Sequence, residues 1–152
     1  LVDGWLGSLY RVVSVLRRRM LNVESITMRR RSNETLMFTV TFNTDPVGLQ
    51  RVIATLKNLV NVIEVTELTT PETLFRDLAL VKVEITTKKN QAALKRLVDD
   101  VGGQIVNRGT RTVTIEISGE PKVLEKTIKQ LEVSKIVEIV RTGCTAMPKE
   151  DD

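Results

Sequence analysis

The side chains that most often carry chemistry are scarce in this chain. Histidine is absent and cysteine occurs once, as Cys144. Without histidine, the commonest general base and the commonest metal ligand are both missing. A lone cysteine cannot form a Cys–His pair, and free cysteine mostly behaves as a small hydrophobe, so Cys144 is expected to be structural. Two other patterns could bind rather than react. The stretch DGWLGSLYRV places Gly7 at the start of an apolar helix pattern. The amides of a helix's first turn lack helical partners and sit at the positive end of its dipole, which favours an anion, and glycine allows close approach. Asn22 opens a strand pattern and carries both a donor and an acceptor. If that strand lay beside the loop, Asn22 could grip the ammonium and carboxylate of a small amino acid. The plainer alternative is that Gly7 merely opens a helix and Asn22 satisfies a turn.

Two basic runs, Arg17 to Arg19 and Arg29 to Arg31, contribute to a formal net charge of +4. Such runs suit a nucleic-acid or membrane face. They also suit a solvated helix end, where cations complement the dipole, and a hairpin tip. Aromatic residues make up 3% of the chain, too few for a base-stacking platform, so no nucleic-acid partner is expected. No apolar run approaches the roughly 20 residues that span a bilayer, so no membrane partner is expected either. One free cysteine, no visible signal peptide and 28% charged residues fit a reduced, cytoplasmic globular protein.

The elements that must hold Gly7 and Asn22 follow from periodicity. Leu9, Val12, Val13, Leu16 and Met20 recur at helical spacing, with Ser8 as the expected N-cap. NVESITM and TLMFTVTF read as a hairpin, the second strand placing Leu36, Phe38, Val40 and Phe42 on one face. Asp45 before Pro46 opens a second helix: the carboxylate caps, and proline at the first helical position loses no needed donor. VNVIEVTEL reads as a closing strand. A polar segment with Pro71 follows. The order then recurs: a strand with Ala79, Val81, Val83 and Ile85; a helix with Leu94, Leu97, Val98 and Val101 ended by Gly102 and Gly103; strands QIVN and RTVTIEIS; a helix after Pro121; and the strand KIVEIVRTG.

Pro46 and Pro121 open corresponding helices, so the unit repeats after about 75 residues. The predicted fold class is α+β, with two ferredoxin-like βαββαβ units. The expected boundaries are a first domain over 1–69 with a shortened first strand, a linker over 70–77, a second domain over 78–147 and a polar tail over 148–152. Apolar residues on both sheet faces, such as Leu80 beside Val81 and Met37 beside Phe38, predict burial against another subunit or domain.

GSLYRVVSVLRRRMLNVESITM resembles the first ACT domain of the regulatory small subunit of acetohydroxyacid (acetolactate) synthase. The matches are Gly7, Leu9, Arg11, Val12, Arg18, Arg19, Asn22, Val23, Ser25, Ile26 and Thr27. LKNLVNVIEVTEL, RDLALVKV, GGQIVN and VEIVRTGCTAM resemble later family motifs in the same order, so the resemblance covers nearly the whole chain and makes the second unit an ACT-like domain. It implies a non-catalytic subunit of branched-chain amino-acid synthesis that forms homodimers through its ACT domains. The implied partner is a catalytic subunit using thiamine diphosphate, magnesium and FAD, with no cofactor on this chain. It further implies a valine pocket between two ACT domains, formed here by the amides of Leu6, Gly7 and Ser8 with Asn22 and Val23. Where the family has an acidic residue followed by Asn, this chain has Asp3 and Gly4. Losing one hydrogen bond to a charged ligand costs roughly 1.5–3 kcal/mol, which predicts a weak, altered or absent valine response. Rival readings are a free-standing ACT-type amino-acid sensor, which lacks a visible DNA-reading helix, and an RNA-binding ferredoxin-like module.

Overall fold

The computed structural model describes residues 1–3, 6–32, 34–69, 71–85, 88–132 and 134–149. The chain divides into two units, one of Leu1–Leu74 with Ala146–Asp152 and one of Phe75–Thr145.

In the first unit β1 (Val2–Asp3) leads into α1 (Leu6–Arg18), followed by β2 (Asn22–Arg30), β3 (Thr35–Asn43) and α2 (Pro46–Lys57). The sheet order is β1-β3-β2, with β3 antiparallel to both neighbours. The alternation read from TLMFTVTF holds: Leu36 is buried, and Phe38, Val40 and Phe42 pack beside it with Val2, Val12, Leu16 and Val52. Asp45 caps α2 as expected, its Oδ1 accepting from the Gly48 N–H at 2.5 Å. The buried face of α1 differs from the predicted stripe. Ser8, Val12, Val15 and Leu16 turn inward, whereas Val13 and Met20 are exposed. The predicted closing strand is also irregular. Val62 makes a single bridge with Val2, and Ile63 and Glu64 donate to the Leu1 carbonyl at 2.9 and 3.2 Å.

In the second unit β4 (Thr73–Glu84) is followed by α3 (Lys88–Asp100), β5 (Gln104–Arg108), β6 (Thr112–Gly119), α4 (Pro121–Leu131) and β7 (Ile136–Arg141). The strand order is β5-β6-β4-β7, all antiparallel, and β8 (Thr145–Pro148) also pairs with β4. Ala79, Val81 and Val83 on β4 and Val113, Ile115 and Ile117 on β6 alternate inward as predicted, against Leu94, Val98, Leu124 and Leu131. Gly102 ends α3 with φ at +67°, and the Gly103 N–H returns to the Val98 carbonyl at 2.8 Å.

Of the expected linker over 70–77, residue 70 lies outside the described residues and most of 71–77 is strand, since β4 begins at Thr73. The inward alternation of β4 extends backwards from Ala79 to Asp77 and Thr73, both buried. Those inward positions carry polar residues, which is why an apolar count stops short of them. The buried Asp77 carboxylate is satisfied by Arg141, whose Nε lies at 2.8 Å, and by the Thr142 hydroxyl at 3.2 Å. The predicted α+β class stands, with the second unit a complete βαββαβ and the first closing on the Val62 bridge in place of a last strand.

Candidate functional site

The candidate pocket begins where β1 becomes α1. Leu6, Gly7 and Ser8 are the first three residues of α1, so their N–H groups have no acceptor four residues back within the helix. Ser8 is not the N-cap. It lies inside the first turn, buried, and its hydroxyl donates to Asp3 Oδ1. A carboxylate is a stronger acceptor than a neutral oxygen, which explains why the hydroxyl turns to Asp3. The other Asp3 oxygen accepts from Asn61 Nδ2, and the Asp3 N–H donates to the Asn61 carbonyl at 3.0 Å. Asn61 Oδ1 is buried without a hydrogen-bond partner. Asp3 thus ties the end of β1 both to the first turn of α1 and to the segment after α2. Gly4 and Trp5 lie outside the described residues.

The sequence reading required Asn22 to lie beside this loop, and within one copy it does not. Asn22 pairs with Asn43 at the end of β3, whereas Asp3 pairs with Thr35 at its start. Eight residue steps of strand separate those two positions, about 27 Å at ~3.4 Å per residue. Asn22 is exposed. Val23 packs against the core of the first unit. After Val23 the β2–β3 register shifts, so that Ser25 pairs with Thr41 and Ile26 with Val40. This bulge keeps Val23 and Ile26 on the helix-bearing face and turns Ser25 and Thr27 to the other.

β2 is an edge strand of its sheet. Ile26 and Met28, on the face it shares with Phe38 and Val40, are exposed, as are Tyr10 and Val13 on α1. The two arginine runs occupy opposite ends of the unit. One closes α1 ahead of Asn22 and the other ends β2, so they do not merge into one basic face.

Sequence reasoning missed the pairing of two motifs in the second unit. RDLALVKV and VEIVRTGCTAM are joined by the Asp77–Arg141 ion pair, with Thr142 as a third partner. Cys144 is buried nearby; that burial, and then the Asp77 charge, push its thiol up against the opposing pull of Arg141. A raised thiol pKa keeps Cys144 protonated and agrees with a structural role. Among the described residues, no group of three His, Cys, Asp or Glu side chains could hold a metal ion.

A family profile described as "Small subunit of acetolactate synthase" matches residues 76–150. An acetolactate synthase small subunit of Haemophilus influenzae is 31% identical, aligned over 98% of this chain and 92% of that protein. The chloroplastic small subunit 2 of Arabidopsis thaliana is 33% identical over 95% of this chain but only 30% of its own length. The chain therefore spans about a third of the plant relatives it matches. The acetolactate synthase small subunit of Thermotoga maritima has the same fold, with a TM-score of 0.86 at 24% identity over 99% of this chain and 94% of that one.

Proposed function

Because the chain belongs to the acetolactate synthase small-subunit family, we propose that it is the non-catalytic, regulatory partner of a catalytic acetolactate synthase subunit in branched-chain amino-acid synthesis. The observation that carries this reading is the colinear likeness across both units to a relative of nearly equal length. The thiamine diphosphate, magnesium and FAD of the reaction belong to the catalytic partner, and this chain raises that partner's activity by holding it in a productive conformation. Mixing the two should raise the rate of pyruvate condensation. An unchanged rate at both low and high salt refutes the proposal, and the free-standing sensor reading would then take its place.

The effector pocket is completed by a second copy. Arg30 pairs with Leu36 and Leu36 with Val2, so the tail of β2 lies at the same end of the sheet as Asp3. If two β2 edges pair antiparallel about a two-fold axis, Asn22 of one copy comes to that end of the other. The Leu6, Gly7 and Ser8 amides then face a ligand across the dimer from Asn22, with Val23 fixing the strand that carries it. The exposed Tyr10, Val13, Ile26 and Met28 support such a contact. A charge at Ile26→Lys should dissociate this dimer.

The pocket suits the carboxylate and ammonium of valine, weakened by Gly4 in place of the family's Asn. Calorimetry should show weak or no heat with valine, and Gly4→Asn should tighten binding about 10–100-fold. Tight valine binding by the native chain would show that the missing Asn is not needed. Effector action requires that valine bind the two states of the complex with different affinity.

A further inference from the structure

The outer strand of the second unit lacks the protection that sheet edges usually carry. β7 ends the path β5-β6-β4-β7 and contains no proline. Val137, Ile139 and Val140 on it are 53, 41 and 54% exposed. Natural edges are blunted by outward lysines, prolines or bulges. The single irregularity here lies between Ile136 and Glu138, leaving Glu138 to Arg141 regular. Glu138 is turned to its neighbour, accepting from Lys82 at 2.7 Å.

Hydrogen-bond phase says which groups are left unpaired. The Thr142 N–H donates to the Leu78 carbonyl at 3.0 Å, Arg141 stands opposite Ala79 and Val140 opposite Leu80. In an antiparallel ladder, residues that bond across one side alternate with residues that bond outward. Thr142, Val140 and Glu138 therefore bond to β4, while Arg141 and Ile139 turn N–H and C=O groups away from the sheet.

We propose that β7 pairs with β7 of a second copy, antiparallel about a two-fold axis perpendicular to the sheet and passing beside Ile139. Such an axis keeps both helix layers on one side, so opposed residues must share a face. The outward groups must also meet each other. Every register centred on one residue satisfies both conditions, and within the regular stretch the centre is Glu138, Ile139 or Val140. The hydrogen bond and charge of Lys82 hold the Glu138 carboxyl below the usual range, so it is ionised at neutral pH. Centring on Glu138 would set two such carboxylates face to face, which destabilises a strand pair. Centring on Val140 would set Ile139 against the charged Arg141 that Asp77 holds, whereas centring on Ile139 sets isoleucine against isoleucine and Glu138 against Val140. The exposed apolar side chains and the hydrogen-bond phase are thus self-complementary, as a two-fold contact requires. Pairing joins the two sheets into one and removes the open edge. This contact is separate from the proposed β2 dimer and does not depend on the regulatory reading.

The test uses the full chain in analytical ultracentrifugation across a concentration series. Ile139→Pro removes an outward N–H and no bond to β4. It should halve the average mass at matched concentration and weaken self-association at least tenfold, with an unchanged circular dichroism spectrum. Ile26→Lys acts on the other edge, and the double variant should be monomeric. As a second readout, Ile139→Cys in a Cys144→Ser background should cross-link to a covalent dimer under diamide much faster than Val140→Cys. An unchanged mass in a folded Ile139→Pro chain overturns the proposal, as does cross-linking at 139 no faster than at 140. If Ile139→Pro does not fold, the cysteine pair alone decides.

Discussion

In the second unit β4 carries ladders along both sides, with β6 from Asp77 to Glu84 and with β7 from Ala79 to Val83, while the corresponding strand of the first unit, β1, is two residues long. The two units share a topology and differ in the length of ladder beneath it. In the second, Ala79, Val81 and Val83 are sealed between strands and helices at 0% exposure. In the first, only a bridge at Val62 and a few hydrogen bonds to Leu1 and Asp3 stand where a fourth strand would run. The first unit instead concentrates polar contacts at one corner, where Asp3 holds Ser8 and Asn61. Regions with few buried contacts open at lower free energy. The second unit is the one whose first strand is paired along both sides.

The largest expected effect tests that unit. Ile115→Ala empties space at the centre of β6, where Ile115 faces Val81 and Ile105. The loss should be about 2–5 kcal/mol. Calorimetry should show a lowered transition for the second unit and an unshifted one for the first. A single transition that falls as a whole would mean that the units melt together, and the contrast in their ladders would then have no thermodynamic counterpart.

A smaller effect is expected at the polar end of the same unit. Asp77→Asn keeps the shape and removes the charge facing Arg141. The Asp77 side chain is 2% exposed and that of Arg141 34%. Removing one partner of a fully buried pair costs about 3–5 kcal/mol, but Arg141 can turn to water, so roughly 2 kcal/mol is expected. Urea titration followed by hydrogen exchange should place the loss at β7, where Thr142 leaves the Leu78 carbonyl. A loss spread evenly over both units would show that Asp77 supports more than the β4–β7 junction.

How much of this was legible in the sequence depended on whether inward positions were apolar. β6 was read correctly because Val113, Ile115 and Ile117 alternate without interruption. The start of β4 was read as a linker because its inward positions hold Thr73 and Asp77, and nothing in the sequence marks Arg141, 64 residues away, as the partner that makes a buried aspartate tolerable. Val13 was misassigned because helical spacing allows two adjacent stripes, and only the sheet beneath α1 chooses between them. The pocket was legible as residue types but not as a place. Gly7 and Asn22 are the right kinds of residue for an amino acid, yet register alone reveals that they sit at opposite ends of β3. The Asp3–Ser8–Asn61 corner had no sequence signal, since Asn61 arrives from beyond the second helix.

That corner gives the smallest effect and the sharpest test of the first unit. Ser8→Ala deletes a buried hydroxyl and with it the hydrogen bond to Asp3. A hydrogen bond to a charged group is worth about 1.5–3 kcal/mol, but Asp3 is only half-buried and keeps Asn61, so about 1–2 kcal/mol is expected. The alanine fills the first turn of α1 without strain and has the higher helix propensity, which offsets part of the loss. The change should therefore be local. Amide exchange should quicken at Asp3 and Ile63, whose N–H groups bond across this corner, while Val81 and Ile115 keep their protection. If exchange at Asp3 and Ile63 is unchanged, the ladder remnant from Leu1 to Asp3 holds the corner by itself. If Ile115 quickens as well, the two units do not open independently.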